Sequence, residues 1–430
     1  MKLYTEGTKK FSRMLSLFEG RHRSVPEAVS RTVERIISRV RDEGDSALFD
    51  LTRKYDCFHP GAEGMVVTKR EMEKAFGRLV KGVQISLSLM AERIRLFHER
   101  QKEDSYSMYN DAGGLVSFVS LPVERAGIYA PGGKAAYPST VLMNAIPAKV
   151  AGVEEVFAAV PSPGGTALDE VLGACYLAGV DGMYKMGGAQ AIAAFAFGTK
   201  TVKRVDIIAG PGNQYVAEAK RQLFGTVGID MLAGPSELVV LADSSANPRF
   251  VSYDMVSQAE HGEDAFVSLV TNSRELAREV EFMTGEIASR ERRKKIISAA
   301  LMNSPIFLVG SIQKAVSVVN RLAPEHLSVQ LRRGEDFVTS LNKAGTIFVG
   351  PYSPVAVGDY LAGINHTLPT GGSARFSSPL GVYNFMKRMN VVSYTEPSLK
   401  KDMKDIARVA KREGLYAHGN SVAERFKRKK

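Results

Sequence analysis

The chain has 430 residues, 44% hydrophobic and 24% charged, which suits two to four domains at about 100–200 residues each, while two cysteines exclude a disulfide framework or a cysteine-built zinc site. The opening MKLYTEGTKKFSRML lacks the apolar core of a signal peptide and no window matches the roughly eighteen apolar residues of a membrane span, so a cytoplasmic protein is expected. The net charge of +11 raises nucleic acid or acidic lipid as partners, but its basic runs, RERRKK at 290–295 and ERFKRKK at 424–430, carry one aromatic, Phe426; they read as a solvated face and a frayed end, and no nucleic-acid or membrane partner is expected.

In SVPEAVSRTVERIISRV (24–40), Ser24 and Glu27 have capping-box spacing, and Val29, Val33, Ile36 and Val40 share one helical face. Thr68 and Glu71 repeat the cap signal before an amphipathic stretch ending near Glu103. From about Glu124 the texture turns cyclic. Four apolar runs, RAGIYA, EEVFAAV, GMYKM and RVDIIA, are each followed by a glycine-rich turn and a helical segment; the turns are APGG (130–133), PSPGG (161–165), MGGAQ (186–190) and GPGN (210–213). Such a cycle predicts a parallel sheet covered by helices, with ligands at the carboxyl ends of its strands. None of the turns matches G-x-G-x-x-G: in GPGNQY, Tyr215 stands where the last glycine belongs. By themselves they leave open whether they hold a dinucleotide or only reverse the chain.

VDIIAGPGN (205–213) is echoed by IDMLAGPSE (229–237), which predicts two parallel strands presenting similar loops on one sheet edge. LVVLAD, AFVSLVTN, PIFLVG and GTIFVGP then predict a second α/β sheet, completed by the helices before residue 105, with the first βα block inserted in it. Beyond PTGGSARFSSPLG the chain reads as mostly helical and too short to fold alone, a tail that docks on its own body or on a partner subunit.

Polar residues gather in Gly- and Pro-marked segments. Gln258 and His261, at i and i+3 in SYDMVSQAEHG, share a helical face if that segment is helical, with Gly262 stopping the helix; the plainer alternative is a capping or surface histidine. Asp359 and His366 lie in GPYSPVAVGDYLAGINHTLPTGG, where Asp359 also suits a helix N-cap and His366 a hydrogen-bonded loop. Glu413 and His418 lie in REGLYAHGN, and both suit an exposed surface. In RLAPEHL (321–327), Pro324 fits the first turn of a helix, with Glu325 and His326 beside it. There the dipole favours an ionised Glu and a neutral His, a usable general-base pair; the alternative is an ordinary helix start. These histidines and acids with a glutamine, without thiolate, suit Zn²⁺ or another divalent ion.

Taken together, GIDMLAGPSELVVLADSSANPRFVSYDMVSQAEHG, ERAGIYAPGG, MGGAQAIAAFAFGT, VDIIAGPGNQYV, LAPEHL, GDYLAGINHTLPTGG and EGLYAH closely resemble the histidinol dehydrogenase family, in order and across nearly the whole chain. The resemblance implies a zinc-dependent oxidation of L-histidinol to L-histidine through the aldehyde, consuming two NAD, as the last step of histidine biosynthesis. It implies one Zn²⁺ per subunit on Gln258, His261, Asp359 and His418, and an acid/base pair Glu325 and His326. Ser236, Gln258, His261, His326, Asp359, His366, Glu413 and His418 would meet the substrate, and Tyr129, Gln190 and Asn213 would meet NAD. It also implies a homodimer in which an intertwined tail carries His418 to the partner's site. The expected fold is α/β, two parallel-sheet Rossmann-like domains, one inserted in the other. The expected parts are an N-terminal helical extension (1–23), a first α/β domain (24–126 and 238–372), an inserted NAD-binding domain (127–237) and a C-terminal helical dimerisation tail (373–430).

Three rivals stand beside this reading. A related dehydrogenase of another hydroxymethyl compound, such as a sulfonated diol, keeps the chemistry, although an anionic sulfonate would be repelled by Glu413. A zinc hydrolase would leave the Gly-rich βα cycle unexplained, and a nucleic-acid-binding protein would show strongly salt-dependent binding.

Overall fold

The computed structural model describes residues 1–21, 25–132 and 137–427. The proposed Ser24 cap and the last glycine of the APGG turn lie outside the described residues. The chain divides into two compact units, Met1–Gln101 with Glu124–Phe385, and Lys102–Val123 with Met386–Lys430.

The larger unit is α/β and holds two sheets. Strand β1 (Lys2–Thr5) opens the chain and pairs in parallel with a strand three hundred positions on, Lys2 opposite Pro305. The N-terminal segment expected to be helical therefore supplies an edge strand first. Its helix, Lys9–Glu19, is capped by the Thr8 hydroxyl, which accepts from Phe11 N, and it buries Phe11 and Leu15 against Phe307 and Leu327.

The chain then crosses to the other sheet. The helix Glu27–Glu43 buries Val29, Val33, Ile36, Ile37 and Val40, as its spacing predicts. Its partners are Ala191–Ala196, Val216 and Ala219, not the residues beyond 237. The helices before residue 105 were expected to complete the later sheet; Glu27–Glu43 and Asp45–Asp56 instead cover the inserted one, because their valine and leucine stripes meet its alanine-rich helix Gly188–Phe197. A two-residue strand, β2 (Val66–Val67), runs antiparallel at that sheet's edge. The Thr68–Glu71 capping box forms as the spacing predicts, starting the helix Lys69–Arg78.

Two antiparallel strands of the smaller unit, β3 (Tyr106–Tyr109) and β4 (Leu115–Pro122), come next. The inserted sheet then fills with β5 (Arg125–Tyr129), β6 (Glu155–Ala159), β7 (Gly182–Tyr184), β8 (Ile207–Ala209) and β9 (Gly228–Ile229). These five are parallel, in the order β7-β6-β5-β8-β9. The order reverses between β5 and β8, the crevice where a doubly wound sheet takes its ligand. Strands β8 and β9, the near-repeat in the sequence, are parallel neighbours, Ile207 opposite Gly228.

The turn after β8 is held from beneath. Gly210 adopts φ +114, and a Cβ there would lie 2.0 Å from the Tyr129 carbonyl oxygen, so only glycine lets β8 leave the sheet beside β5. Lys220 and Asp230, both buried, form an ion pair; Lys220 Nζ also donates to Gly210 O at 3.0 Å and Asp230 Oδ2 accepts from Gly210 N at 2.8 Å. Lys220→Met strands a buried carboxylate and is expected to cost about 3–5 kcal/mol, read as a lower urea midpoint; an unchanged midpoint would refute this role.

The second sheet is all parallel: β10 (Glu237–Ala242), β11 (Phe266–Thr271), β12 (Pro305–Leu308), β13 (His326–Gln330) and β14 (Thr346–Val349), with β1 at its edge. Its order, β1-β12-β11-β10-β13-β14, again reverses, here between β10 and β13. Strand β13 corrects the reading of RLAPEHL as a helix start. The helix Ile312–Leu322 ends there, with Ala323 in a left-handed conformation (φ 44). Pro324 follows this break instead of opening a helix, and HLSVQ enters the sheet fully buried.

The smaller unit is a three-stranded antiparallel sheet, β15-β4-β3, with two helices, Glu396–Arg412 and Tyr416–Glu424. The tail was expected to be mostly helical; its residues Met386–Ser393 form a strand, β15, with Met386 opposite Pro122 and Ser393 opposite Leu115. Among the described residues no helix is long and apolar enough to cross a membrane.

Candidate active site

The polar residues singled out in the later half of the larger unit converge on the amino ends of β10 and β13. That differs from the carboxyl-end rule expected of such sheets, which places only the residues of the inserted sheet. Two carboxylates and a histidine meet here. Glu237 opens β10, and Glu325 and His326 lead into β13, with Leu238 and His326 in register.

Backbone and side chain of Glu237 bind the pair reciprocally. Glu237 N donates to Glu325 Oε2 at 2.7 Å, and Glu325 N donates to Glu237 Oε2 at 3.3 Å. The Glu237 carbonyl lies 3.0 Å from His326 Nδ1. A carbonyl only accepts, so Nδ1 carries a proton and Nε2 is the nitrogen left to take one. Glu325 Oε2 is 3.4 Å from the same Nδ1, and the ring of Phe348 stacks on His326 at 6.0 Å between centroids. Gly345 N and Thr346 N hold the carbonyls of Pro324 and Glu325.

Burial and neighbouring carboxylates, not a helix dipole, act on the protonation here, since His326 opens a strand. Glu325 is 7% exposed and His326 5%. Burial lifts the Glu325 carboxyl above its usual range, against the pull of His326. Burial lowers the imidazole, but the Glu325 carboxylate, its hydrogen bond and Asp359 outweigh it and push His326 up to about 9. The two shifts favour keeping a proton on the pair, the Glu325 carboxylate drawing it toward His326. The helix start from which a neutral His beside an ionised Glu was expected is absent, and the direction of the His326 shift is upward.

His366 lies in the loop after the helix Val355–Tyr360. Its Nδ1 is 3.8 Å from Asp359 Oδ1 and its Nε2 3.3 Å from Thr140 Oγ1. Asn365 Nδ2 donates to the Met143 carbonyl and pins the loop to the helix Pro138–Ala151. Burial pulls His366 down to about 4; Asp359 opposes this, while His326 and His261 add to it. It is neutral at pH 7. Asp359 sits in the last turn of Val355–Tyr360, not at an N-cap.

Gln258 and His261 stand at the end of the helix Pro248–Ala259, Gln258 buried and His261 exposed just beyond it. His366 thus lies within electrostatic reach of His261, His326 and Asp359, and His326 within reach of Asp359. Glu413 and His418 belong to the smaller unit, Glu413 at the C-terminus of Glu396–Arg412 and His418 on Tyr416–Glu424, both exposed. Among the described residues, no three His, Cys, Asp or Glu side chains gather closely enough to hold a metal. Ser236 precedes β10, and its carbonyl accepts from Phe266 N at 2.9 Å.

The inserted sheet brings Tyr129 and Asn213 to its β5/β8 crevice. Tyr129 ends β5, buried, its hydroxyl accepting from Gly188 N at 3.1 Å; burial pushes its pKa up to about 12. Gln190 is buried in the first turn of Gly188–Phe197. Asn213 caps Gln214–Leu223, accepting from Tyr215 N and Val216 N.

Sequence reasoning missed Glu237, Thr140 and Arg21. Glu237 had a signal, the acid closing the second Ala-Gly-Pro loop. Arg21, which grips Glu237 across 216 positions, had none.

The sequence profile of the histidinol dehydrogenase family matches residues 19–426. The histidinol dehydrogenase of Syntrophotalea carbinolica is 44% identical over 428 residues, 99% of each chain. That of Aquifex aeolicus is 45% identical over 417 residues, 97% of each. The crystal structure of histidinol dehydrogenase from Elizabethkingia anophelis superposes with a TM-score of 0.92 at 34% identity, covering 99% of this chain and 98% of that one.

Proposed function

Because the chain belongs to the histidinol dehydrogenase family, we propose that it oxidises L-histidinol to L-histidine through L-histidinal, by two successive hydride transfers to NAD, as the last step of histidine biosynthesis. The observation that carries this reading is the buried Glu325–His326 pair, with Asp359 and His366 in electrostatic reach of His326 and His261 in reach of His366.

Alcohol oxidation needs a base for the hydroxyl proton as hydride leaves the carbon. His326 Nε2 takes that role, because Nδ1 is engaged by the Glu237 carbonyl. The aldehyde must then add water before a second hydride can depart. Glu325 activates that water; its Oε2 is held by Glu237 N, which leaves Oε1 for the task. Ser236, neutral His366 and Glu413 hold the substrate. Tyr129, Gln190 and Asn213 hold NAD where the inserted sheet changes direction.

One carboxamide, one carboxylate and two imidazoles form an oxygen and nitrogen donor set that fits zinc. One ion per subunit is assigned to Gln258, His261 and Asp359, with His418 supplied by a second copy of the chain. When bound it would supply the charge that grips the substrate's imidazole and amine. A homodimer is also part of this reading, and in the smaller unit Val392, Tyr109 and Tyr416 are each more than 60% exposed. Such a dimer fits a cytoplasmic enzyme.

The deciding experiment counts NADH per histidinol, with and without a chelator, and repeats the assay on a sulfonated diol. Two NADH per histidinol, lost on chelation, with no turnover of the diol, is the expected result. Turnover of the diol alone would shift the substrate assignment.

Mixing two inactive variants tests the shared site. His326→Asn and His418→Ala, refolded together, form hybrids in which one of two sites is intact. About a quarter of the wild-type rate is expected, since half the dimers are hybrids with half the sites. No recovery would place His418 in its own subunit's site.

A further inference from the structure

The Glu325–His326 pair does not hold itself in place; both members hang on Glu237, and Glu237 hangs on Arg21. Arg21 Nε and Nη2 each donate to a Glu237 carboxylate oxygen at 2.7 Å, a two-pronged fork that only a guanidinium makes. Gly371 N donates to Glu237 Oε1 at 3.0 Å. The same guanidinium ties in two helix ends. Nη1 donates to the Phe18 carbonyl at 2.6 Å, closing the helix Lys9–Glu19, and Nη2 reaches the carbonyl of left-handed Ala323, two residues before Glu325. Its face lies 5.2 Å from the Phe266 ring centroid. Arg21 and Glu237 side chains are 10% and 4% exposed.

We propose that Arg21 is a positioning residue for the dehydrogenase reaction, acting through Glu237 on both members of the acid/base pair at once. This rests on the reading of Glu325 and His326 given above. The double effect follows from the geometry: the amide of Glu237 holds Glu325 and its carbonyl holds His326. A slack Glu237 therefore releases both groups, and both oxidations slow together. A variant of either catalytic residue alone separates them.

A cavity of about 850 Å³ borders this fork, lined in part by Phe18, Arg21, Glu237, Phe266 and Gly371. It gives a small cation a way to Glu237 once the arginine side chain is gone. The experiment compares Arg21→Ala and Arg21→Lys with wild type, assaying histidinol and histidinal separately, with thermal unfolding as the fold control. For a folded Arg21→Ala, kcat on both substrates is expected to fall by about 10- to 100-fold, as for loss of other orienting partners, with KM within about twofold. Millimolar guanidinium chloride should restore kcat several-fold, whereas sodium chloride at equal ionic strength should not. Unchanged kcat, a loss carried by KM, a loss confined to one substrate, or no rescue each overturns the proposal. If Arg21→Ala does not fold, Arg21→Lys decides. It keeps the charge without the fork, so a wild-type kcat there overturns the proposal and a joint fall on both substrates supports it. Wild-type enzyme that makes no NADH from histidinol sinks the underlying reading, and this assignment with it.

Discussion

Replacing His326 with Asn is expected to lower kcat for histidinol oxidation by about 10³-fold, with KM for histidinol almost unchanged. The asparagine amide can still donate to the Glu237 carbonyl where Nδ1 does now, so packing and substrate contacts survive. What disappears is the basic nitrogen, which acts only as the O–H bond breaks. A loss in kcat at constant KM marks an interaction made in the transition state alone, here of about 4 kcal/mol.

The pH profile gives an independent check. Only unprotonated His326 accepts the hydroxyl proton, and its pKa is pushed up to about 9 against burial by Glu325 and Asp359. Alcohol oxidation by the wild type should therefore rise with pH and level off above that value. Neutralising either carboxylate removes part of the upward push, so the inflection moves down. His326→Asn should flatten the rise altogether. A variant that keeps the wild-type slope would show that another group is the base.

The sequence disclosed most of the strands and the outline of the site, for reasons that separate by residue. LVVLAD and AFVSLVTN are nearly unbroken apolar runs, as strands buried on both faces must be; these became β10 and β11. Gln258, His261, Asp359 and His366 were conspicuous as polar residues among glycine and proline. HLSVQ was not read as a strand, because Pro324 ahead of it imitates a helix start and the left-handed turn at Ala323 has no glycine to announce it. That single error reversed the expected direction of the His326 shift: a helix N-terminus would disfavour protonation of His326, whereas buried neighbouring carboxylates favour it. Strands β3 and β15 escaped notice because their residues are mostly exposed and give no inward-outward alternation to read. The Arg21–Glu237 fork was beyond reach for a different reason. One arginine among 57 cations carries no mark of its partner until the helix Lys9–Glu19 is laid beside β10.

Glu325→Gln should divide the two oxidations where His326→Asn does not leave the first intact. The amide is nearly isosteric, and its oxygen can still accept from Glu237 N, so β13 keeps its place beside β10. Removing a buried carboxylate whose pKa burial already raises should not harm the fold. The hydroxyl proton still has His326 to go to, and without the Glu325 charge that imidazole is free of its proton at lower pH. The first oxidation should then fall by less than about tenfold, with its inflection shifted down. Addition of water to the aldehyde has lost its base, and oxidation of supplied histidinal should fall by about 10²- to 10⁴-fold. Mixed with histidinol, the variant is expected to release close to one NADH per substrate in the early phase and to accumulate aldehyde, detectable with a carbonyl-trapping reagent. Equal and mild losses in both half-reactions would contradict a division of labour in which the imidazole serves the alcohol and the carboxylate serves the water.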